Sequence, residues 1–334
     1  MQKKINIEDI RKLFTGPVVF SGNLIKTGLK AEVRDNNQRQ TGNIFSDKWS
    51  EVEKYDDVEK LYKFQQDWFL NLYGFDSEND LSCYLSNKNV IVDTGCGLGY
   101  KAAWFAKLAP HAMVIGIDIS DSVELAARNY RSIENLFFLR ADIASTNIKA
   151  DSVDFCVCDQ VIMHTEFPEK TFAHLAELTS AKGELLCYVY SKKALPRELV
   201  DDYFRKATHK IKSEEMWQFS EQLTILGKNL SELHATVQVP EIPLLGIKGG
   251  LYDVQRFVYW NFLKCFWKED WGFDLCKSTN YDWYAPSNAK RFSKEEFLDM
   301  VQNNGLFISH FHSEEACYSG RFSKVNNEAG CACK

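Results

Sequence analysis

The stretch 90-VIVDTGCGLGYKAAWFA-106 decides the fold. An apolar run ends in an acid, Asp93. Gly95, Gly97 and Gly99 then fall within five positions, before an alanine-rich, helix-like segment. Glycine loses the most backbone freedom on folding. Three of them at a strand-to-helix junction point to something lying close against the main chain. The free N–H groups of a helix start make such a turn a place for a ligand.

The same rhythm continues outward from this turn. Strand-like 89–95, 113–120, 136–143, 153–161 and 184–191 alternate with helix-like 100–109, 121–131 and 168–179. Strands alternating with helices predict an α/β protein with a doubly wound, mostly parallel sheet. A helix is expected over 55–75, from apolar residues at three- and four-residue steps. Ser293 and Glu296 have the spacing of a capping box opening a helix over 294–305, and Gly305 closes it. Short strands over 306–312 and 316–323 follow. Residues 192–290 break the rhythm and read as helical and aromatic. The expected organisation is an N-terminal arm (1–54), a core (55–191), a mainly helical insertion or substrate lid (192–290), the end of the core (291–323) and a flexible tail (324–334).

The chain has 334 residues and a formal net charge of −6, without the basic surplus of a nucleic-acid binder. No window has the roughly 18 consecutive apolar residues of a membrane span, and the start lacks the apolar run of a signal peptide. A cytoplasmic protein without nucleic-acid or membrane partners is expected. Of the ten cysteines, those in 156-CVC-158 and 186-LCYVY-190 read as small buried hydrophobes. No CxxC pair is present, so no metal site is expected. Cys331 and Cys333 in the tail read as incidental.

Each strand end adds chemistry to the turn. Asp118 ends the second strand 25 residues after Asp93, where a carboxylate accepts from both ribose hydroxyls of a nucleoside. Asp142 ends the third strand, placed for an exocyclic adenine amine, with Ile119 and Ile143 to sandwich the ring. Asp159 and Gln160 end the fourth. The spacing G-x-G-x-G differs from the G-x-G-x-x-G of dinucleotide binders.

Taken in order, DTGCGLG, GIDIS, RADIAS and CDQVIMHT resemble the class I S-adenosylmethionine-dependent methyltransferases over about residues 89–191. The two C-terminal strands resemble that family's closing hairpin, and the long aromatic insertion after the fifth strand is similar to that of a bacterial subgroup. Cys96, between Gly95 and Gly97, departs from the small or polar residues common there. The resemblance implies a seven-stranded Rossmann-like sheet and S-adenosylmethionine as cofactor. It implies a binding set of Asp93, Gly95, Cys96, Gly97, Gly99, Asp118, Ile119, Asp142, Ile143, Asp159 and Gln160, with the methionine portion against the glycines.

Methyl transfer from a sulfonium is an in-line displacement that needs alignment, desolvation and sometimes a base. His164, after the fourth strand, is the candidate base. A loop histidine that merely packs there is the alternative. His310 and His312 read as structural. Tyr252, Arg256 and Tyr259 are expected on one helix face, offering an arginine and phenols to a small-molecule acceptor. Asp282, Trp283 and Tyr284 form a second cluster, and Gln66 and Trp68 sit on a helix placed to cover the cofactor. Aromatic stripes at this spacing also serve as core. A homodimer contact through the insertion, a non-catalytic S-adenosylmethionine-binding protein and a nicotinamide-dependent oxidoreductase stand as alternatives.

Overall fold

The computed structural model describes residues 5–27, 36–55, 58–208 and 210–326. The expectations for Cys331, Cys333 and the tail from 327 on lie outside these. The chain divides into two compact units: 1–35 with 64–191 and 290–334, and 36–63 with 192–289.

The first unit begins with α1 (Ile7–Lys12) and a hairpin of β1 (Val18–Ser21) and β2 (Leu24–Thr27). Residues 64–73 of α3 (Val58–Tyr73) and α4 (Glu78–Leu85) lead into the alternating core. Its elements are β3 (Val90–Thr94), α5 (Tyr100–Leu108), β4 (Met113–Asp118), α6 (Ser122–Asn129), β5 (Leu136–Arg140), β6 (Val153–Cys158), α7 (Pro168–Leu178) and β7 (Thr179–Tyr190). The unit closes with α12 (Lys294–Asn303), β10 (Phe307–Ser313) and β11 (Cys317–Ser323). Both halves of the Ser293–Glu296 capping box form.

The sheet order is β1-β2-β5-β4-β3-β6-β7-β11-β10. From β5 to β7 every pairing is parallel, and β11 enters antiparallel to β7. The seven-stranded Rossmann-like sheet is therefore present. Every residue of β4 is buried, as expected of a strand covered on both faces. The order reverses around β3, which lies between β4 and β6. A crevice outside the carboxyl ends of these strands is where open α/β sheets bind ligands.

Residues 1–45 read as polar with little to hold them. Instead, β1 and β2 extend the sheet to nine strands, with β2 parallel to β5. The signal was local: 21-SGNL-24 is a two-residue hairpin loop in which Gly22 has φ +65°.

The second unit contains α2 (Asn36–Val52), α8 (Leu195–Thr208), α9 (Ser213–Glu232), α10 (Val254–Asn261) and α11 (Gly272–Tyr284). A small antiparallel pair, β8 (Thr236–Val239) and β9 (Gly250–Asp253), accompanies them. Residues 36–54 thus group with the insertion, whereas the sequence reading places them in an arm. Polar anchors hold α2 there. Lys48 pairs with Asp282 at 2.5 Å, Tyr281 Oη donates to Asp47 Oδ2 at 2.7 Å, and Gln40 Nε2 donates to the Ala285 carbonyl at 2.9 Å. Such contacts leave no apolar period to read.

A buried charge cluster organises this unit. Asp201, fully buried, accepts from Arg197 Nε at 2.8 Å, Trp283 Nε1 at 2.8 Å and Tyr284 Oη at 2.7 Å. Arg197 also donates to the Tyr259 carbonyl. Lys264 is buried with its ammonium 4.4 Å from the centre of the Trp283 ring. Burial pushes its pKa down to about 7; attraction to Asp282 and Asp201 opposes the shift, and repulsion from Arg197 and Lys48 adds to it. Unfolded, the lysine holds its proton to about pH 10.4. Between pH 7 and that value the unfolded chain binds the extra proton, so stability rises with pH in this window. Wild-type stability relative to Lys264→Met is expected to improve by about 2 kcal/mol from pH 7 to pH 9. Urea unfolding of both proteins at the two pH values measures it. A difference that stays constant would show that the amine titrates as in water.

Candidate functional site

β3 delivers Asp93 to its carboxyl end, and the chain then turns into α5 through three left-handed glycines. Gly95 has φ +79°, Gly97 +52° and Gly99 +79°. The turn is also packed too tightly for side chains. A Cβ on Gly95 would lie 2.4 Å from both Val161 methyl groups, and one on Gly99 would lie 2.7 Å from the Phe138 ring and 2.9 Å from Ala126. At these two positions the protein's own neighbours already forbid a side chain, before any ligand is considered. The turn is tied to the next strand: the N–H groups of Gly95 and Cys96 donate to the Ile117 carbonyl at 2.6 and 2.9 Å. Cys96 is buried, and burial pushes its thiol well up, so it fits as a neutral small hydrophobe.

Three carboxylates meet here with different partners. Asp118 Oδ2 accepts from the Gly97 N–H at 2.8 Å, and Oδ1 accepts from Ser120 N at 2.8 Å and Ser120 Oγ at 2.6 Å. A carboxylate has about four lone-pair directions, so Asp118 can hold the turn and still accept from a hydroxyl. Asp159, at the end of β6, is buried and bound by Lys101 Nζ at 2.5 Å, Tyr73 Oη at 3.0 Å and Gln160 Nε2 at 3.2 Å. Asp93 is 1% exposed, and its Oδ2 has no hydrogen-bond partner among the described residues. Burial pushes its pKa up to about 7; Lys101 opposes the shift, and Asp159 and Asp118 add to it.

At the rim, Asp142 is half-buried and accepts from the Ala144 N–H at 2.9 Å, beside buried Ile143. Ile119 is half-buried after β4. Gln160 is a non-glycine residue at φ +64°, and its amide reaches Gln65 Oε1 at 2.7 Å. Backbone strain of this kind concentrates at functional positions.

His164 lies in a short 3₁₀ turn, Ile162–His164, and is buried. Its Nε2 is 3.4 Å from Tyr190 Oη at the end of β7. Tyr190 meets Tyr188 edge-on at 5.8 Å, and Tyr188 meets Trp68 at 5.7 Å. Trp68, proposed from sequence as a cover, thus joins the aromatic wall that contains His164.

Lys101, Tyr73 and Gln65 were missed by the sequence reading. Lys101 carried a readable signal. It stands at the second helical position of α5, where the helix dipole disfavours a cation. A lysine there calls for a carboxylate nearby. Burial alone would lower its pKa, but Asp159, Tyr100 and Asp93 together outweigh burial and hold the ammonium charged.

Tyr252, Arg256 and Tyr259 belong to the second unit. They do not share a helix face. Tyr252 is in β9 and donates to the Lys248 carbonyl at 3.0 Å; Asp253 caps α10, so the helix starts only at Val254. Arg256 donates to the Trp267 carbonyl at 3.4 Å and lies over the rings of Tyr259 and Phe266. The helix itself ends at Asn261.

Gly99→Ala is expected to cost about 3 kcal/mol, the sum of a left-handed alanine and an overpacked contact. Gly305, at φ +66° with open space around it, is the control; alanine there should cost only about 1–2 kcal/mol. Equal losses in urea unfolding would remove the packing contribution.

Residues 85–235 match the family model described as a methyltransferase domain. Among curated proteins none matches this sequence. The chain is similar to the structure of magnesium protoporphyrin IX methyltransferase from Synechocystis PCC 6803 with bound SAH, at 15% identity over 86% of this chain and 98% of that one, with a TM-score of 0.45. It is similar to PKMT2 from Rickettsia typhi at 15% identity, 74% and 52% coverage and a TM-score of 0.48. A third similarity is to a SAM-dependent methyltransferase, possible histamine N-methyltransferase, from Thermotoga maritima, at 14% identity, 85% and 100% coverage and a TM-score of 0.38. All three TM-scores lie below 0.5, and the acceptors named for those proteins say nothing of this one's.

Proposed function

We propose, for a chain whose residues 85–235 are a methyltransferase domain of the class I S-adenosylmethionine-dependent family, that it methylates a small molecule at the carboxyl ends of β3, β4 and β6. The observation that supports this best is Asp93 Oδ2, a buried acceptor without a donor among the described residues, beside the glycine turn. S-adenosylmethionine supplies a methyl group on a sulfonium that is its own leaving group, together with an amino group, a carboxylate and an adenosine. The residues present fit that molecule. Asp93 would take the amino group, with the methionine portion against the glycine turn. Asp118 would accept from the ribose hydroxyls, and Asp142 from the adenine amine, with Ile119 and Ile143 on the ring faces. Cys96, Asp159 and Gln160 shape the floor, with Lys101 and Tyr73 holding Asp159 in place.

His164 is proposed as the general base. Tyr190 Oη beside its Nε2 would orient the ring, and Trp68, Tyr188 and Tyr190 would exclude water and offer aromatic faces to a cation. The acidic balance of the chain favours a small acceptor over a nucleic acid. No helix among the described residues is long and apolar enough to cross a membrane, in keeping with the cytoplasmic location proposed.

Two experiments test the reading. With an Asp93 pKa near 7, the carboxylate that a cationic amine requires becomes available as pH rises through this value. Calorimetric affinity for S-adenosylhomocysteine is expected to increase roughly five- to tenfold from pH 6 to pH 7.5. Asp93→Asn should bind more weakly at both values without that step. A retained pH dependence in the variant would remove Asp93 from the site. His164→Gln, assayed against an acceptor found by screening for homocysteine release, should lower kcat by about 10²–10⁴ while leaving cofactor affinity unchanged. Full activity in this variant would reduce His164 to packing.

A further inference from the structure

The turn between β10 and β11 brings together three different metal-ligating side chains. Glu314 and Cys317 exchange backbone hydrogen bonds, Glu314 N to Cys317 O at 3.0 Å and Cys317 N to Glu314 O at 3.3 Å. They are therefore a directly opposed pair across a two-residue loop, Glu315 and Ala316. Opposed residues on antiparallel strands share a face, and side chains two apart on one strand share it too. His312, two residues before Glu314, must project from the same face as Glu314 and Cys317. The turn is held from the side as well. Cys317 pairs with Tyr190 of β7, and Ser191 donates to the Glu315 carbonyl at 2.5 Å through Oγ and to the Ala316 carbonyl at 3.2 Å through its N–H.

The distances follow from this register. His312 Nε2 lies 3.3 Å from Glu314 Oε2, and Cys317 Sγ lies 3.5 Å from Glu314 Oε1. One ligand atom from each residue falls within 4.8 Å of the others. Zinc bonds of about 2.0–2.1 Å to nitrogen, 2.0–2.2 Å to oxygen and 2.3 Å to sulfur imply, at tetrahedral angles, separations of about 3.3 Å between N and O and about 3.6 Å between S and O. The nitrogen already lies near this spacing from Glu314 Oε2, and the sulfur from Glu314 Oε1. Moreover, His312 Nε2 is shut off from solvent and makes no hydrogen bond among the described residues. His312 and Glu314 are half-buried and Cys317 is buried, so an ion reaches the ligands from the solvent side and ends against the thiol. Tyr188, whose strand neighbour is Ser319, hydrogen-bonds Cys317 and can support the sulfur from the outer shell.

We propose that His312, Glu314 and Cys317 form a divalent transition-metal site of the zinc class, with three protein ligands and a fourth position open to water. A mixed nitrogen, oxygen and sulfur set favours zinc over calcium or magnesium, which take all-oxygen shells. Binding converts the Cys317 thiol to a thiolate, forms the Zn–S bond and releases one proton to solvent, so affinity falls as pH is lowered. The ion would fasten the hairpin tip beside Tyr190, the residue that faces His164. The site is independent of the reading of the S-adenosylmethionine pocket.

The test uses the full-length chain with Cys83→Ser, Cys331→Ser and Cys333→Ser, which removes the exposed thiol and the tail pair as competing ligands. The protein is stripped with a chelator and titrated with Zn²⁺ against a chromophoric competitor, then loaded with Co²⁺ for its absorption spectrum. One equivalent of zinc and a thiolate-to-cobalt charge-transfer band are expected. Cys317→Ser should abolish the band. His312→Asn and Glu314→Gln, at half-exposed positions where the fold tolerates change, should each weaken zinc binding by about 100-fold or more. Circular dichroism of the three variants separates lost ligands from lost structure. Failure of the background protein to take up zinc, a cobalt spectrum without a thiolate band, or unchanged affinity in folded His312→Asn would overturn the proposal.

Discussion

The turn from β3 into α5 has no room for a side chain at Gly95 or Gly99, and much of the first unit is arranged around that constraint. Val161 presses on Gly95 from the loop after β6, and Phe138 of β5 with Ala126 of α6 closes on Gly99. Three elements therefore converge on one loop. Because the same loop donates to the Ile117 carbonyl and to Asp118, the carboxyl ends of β3 and β4 are locked to each other. Positive φ at these glycines carries a small conformational cost. What it secures is a rigid floor on which the acids at the strand ends take defined positions.

The electrostatics of that floor are uneven, and the unevenness has chemical meaning. Asp93, Asp118 and Asp159 gather where buried Lys101 provides the cation. Lys101 sits at a helix start, where its charge is disfavoured, so its bond to Asp159 stabilises both groups. Asp118 is satisfied by N–H and O–H donors. Asp93 is left with burial and two acidic neighbours against Lys101 and the Ala102 N–H, its Oδ2 has no donor among the described residues, and its pKa rises to about 7. A buried carboxyl under this pressure is relieved by a cationic donor, and an ammonium group supplies one.

The second unit follows a different rule. Its interior is polar and aromatic, built on Asp201 with Arg197, Trp283 and Tyr284. Buried ion pairs of this type tolerate loss of one partner poorly, since the remaining charge is stranded. Lys264, whose ammonium lies over the Trp283 indole, shows the same tension in its lowered pKa. Arg256, which the sequence reading offered to an acceptor, lies half-buried over the rings of Tyr259 and Phe266.

The sequence by itself determined the alternating core, the glycine turn, the acids ending β3, β4 and β6, and the capping box of α12. All of these are written in short-range patterns: apolar runs of strand length, glycine spacing and a cap three residues from its partner. The turn and the strand-end acids recur at readable distances, and residues 85–235 match the model of a methyltransferase domain. Only the tertiary structure decided that β1 and β2 join the sheet, that α2 belongs to the second unit, and that Tyr252 lies in a strand. It alone decided that Lys101, Tyr73 and Asp159 form one network, and that His312, Glu314 and Cys317 share a hairpin face. These depend on polar contacts between residues far apart in the chain, or on strand register, and neither leaves an apolar period in the sequence to be read.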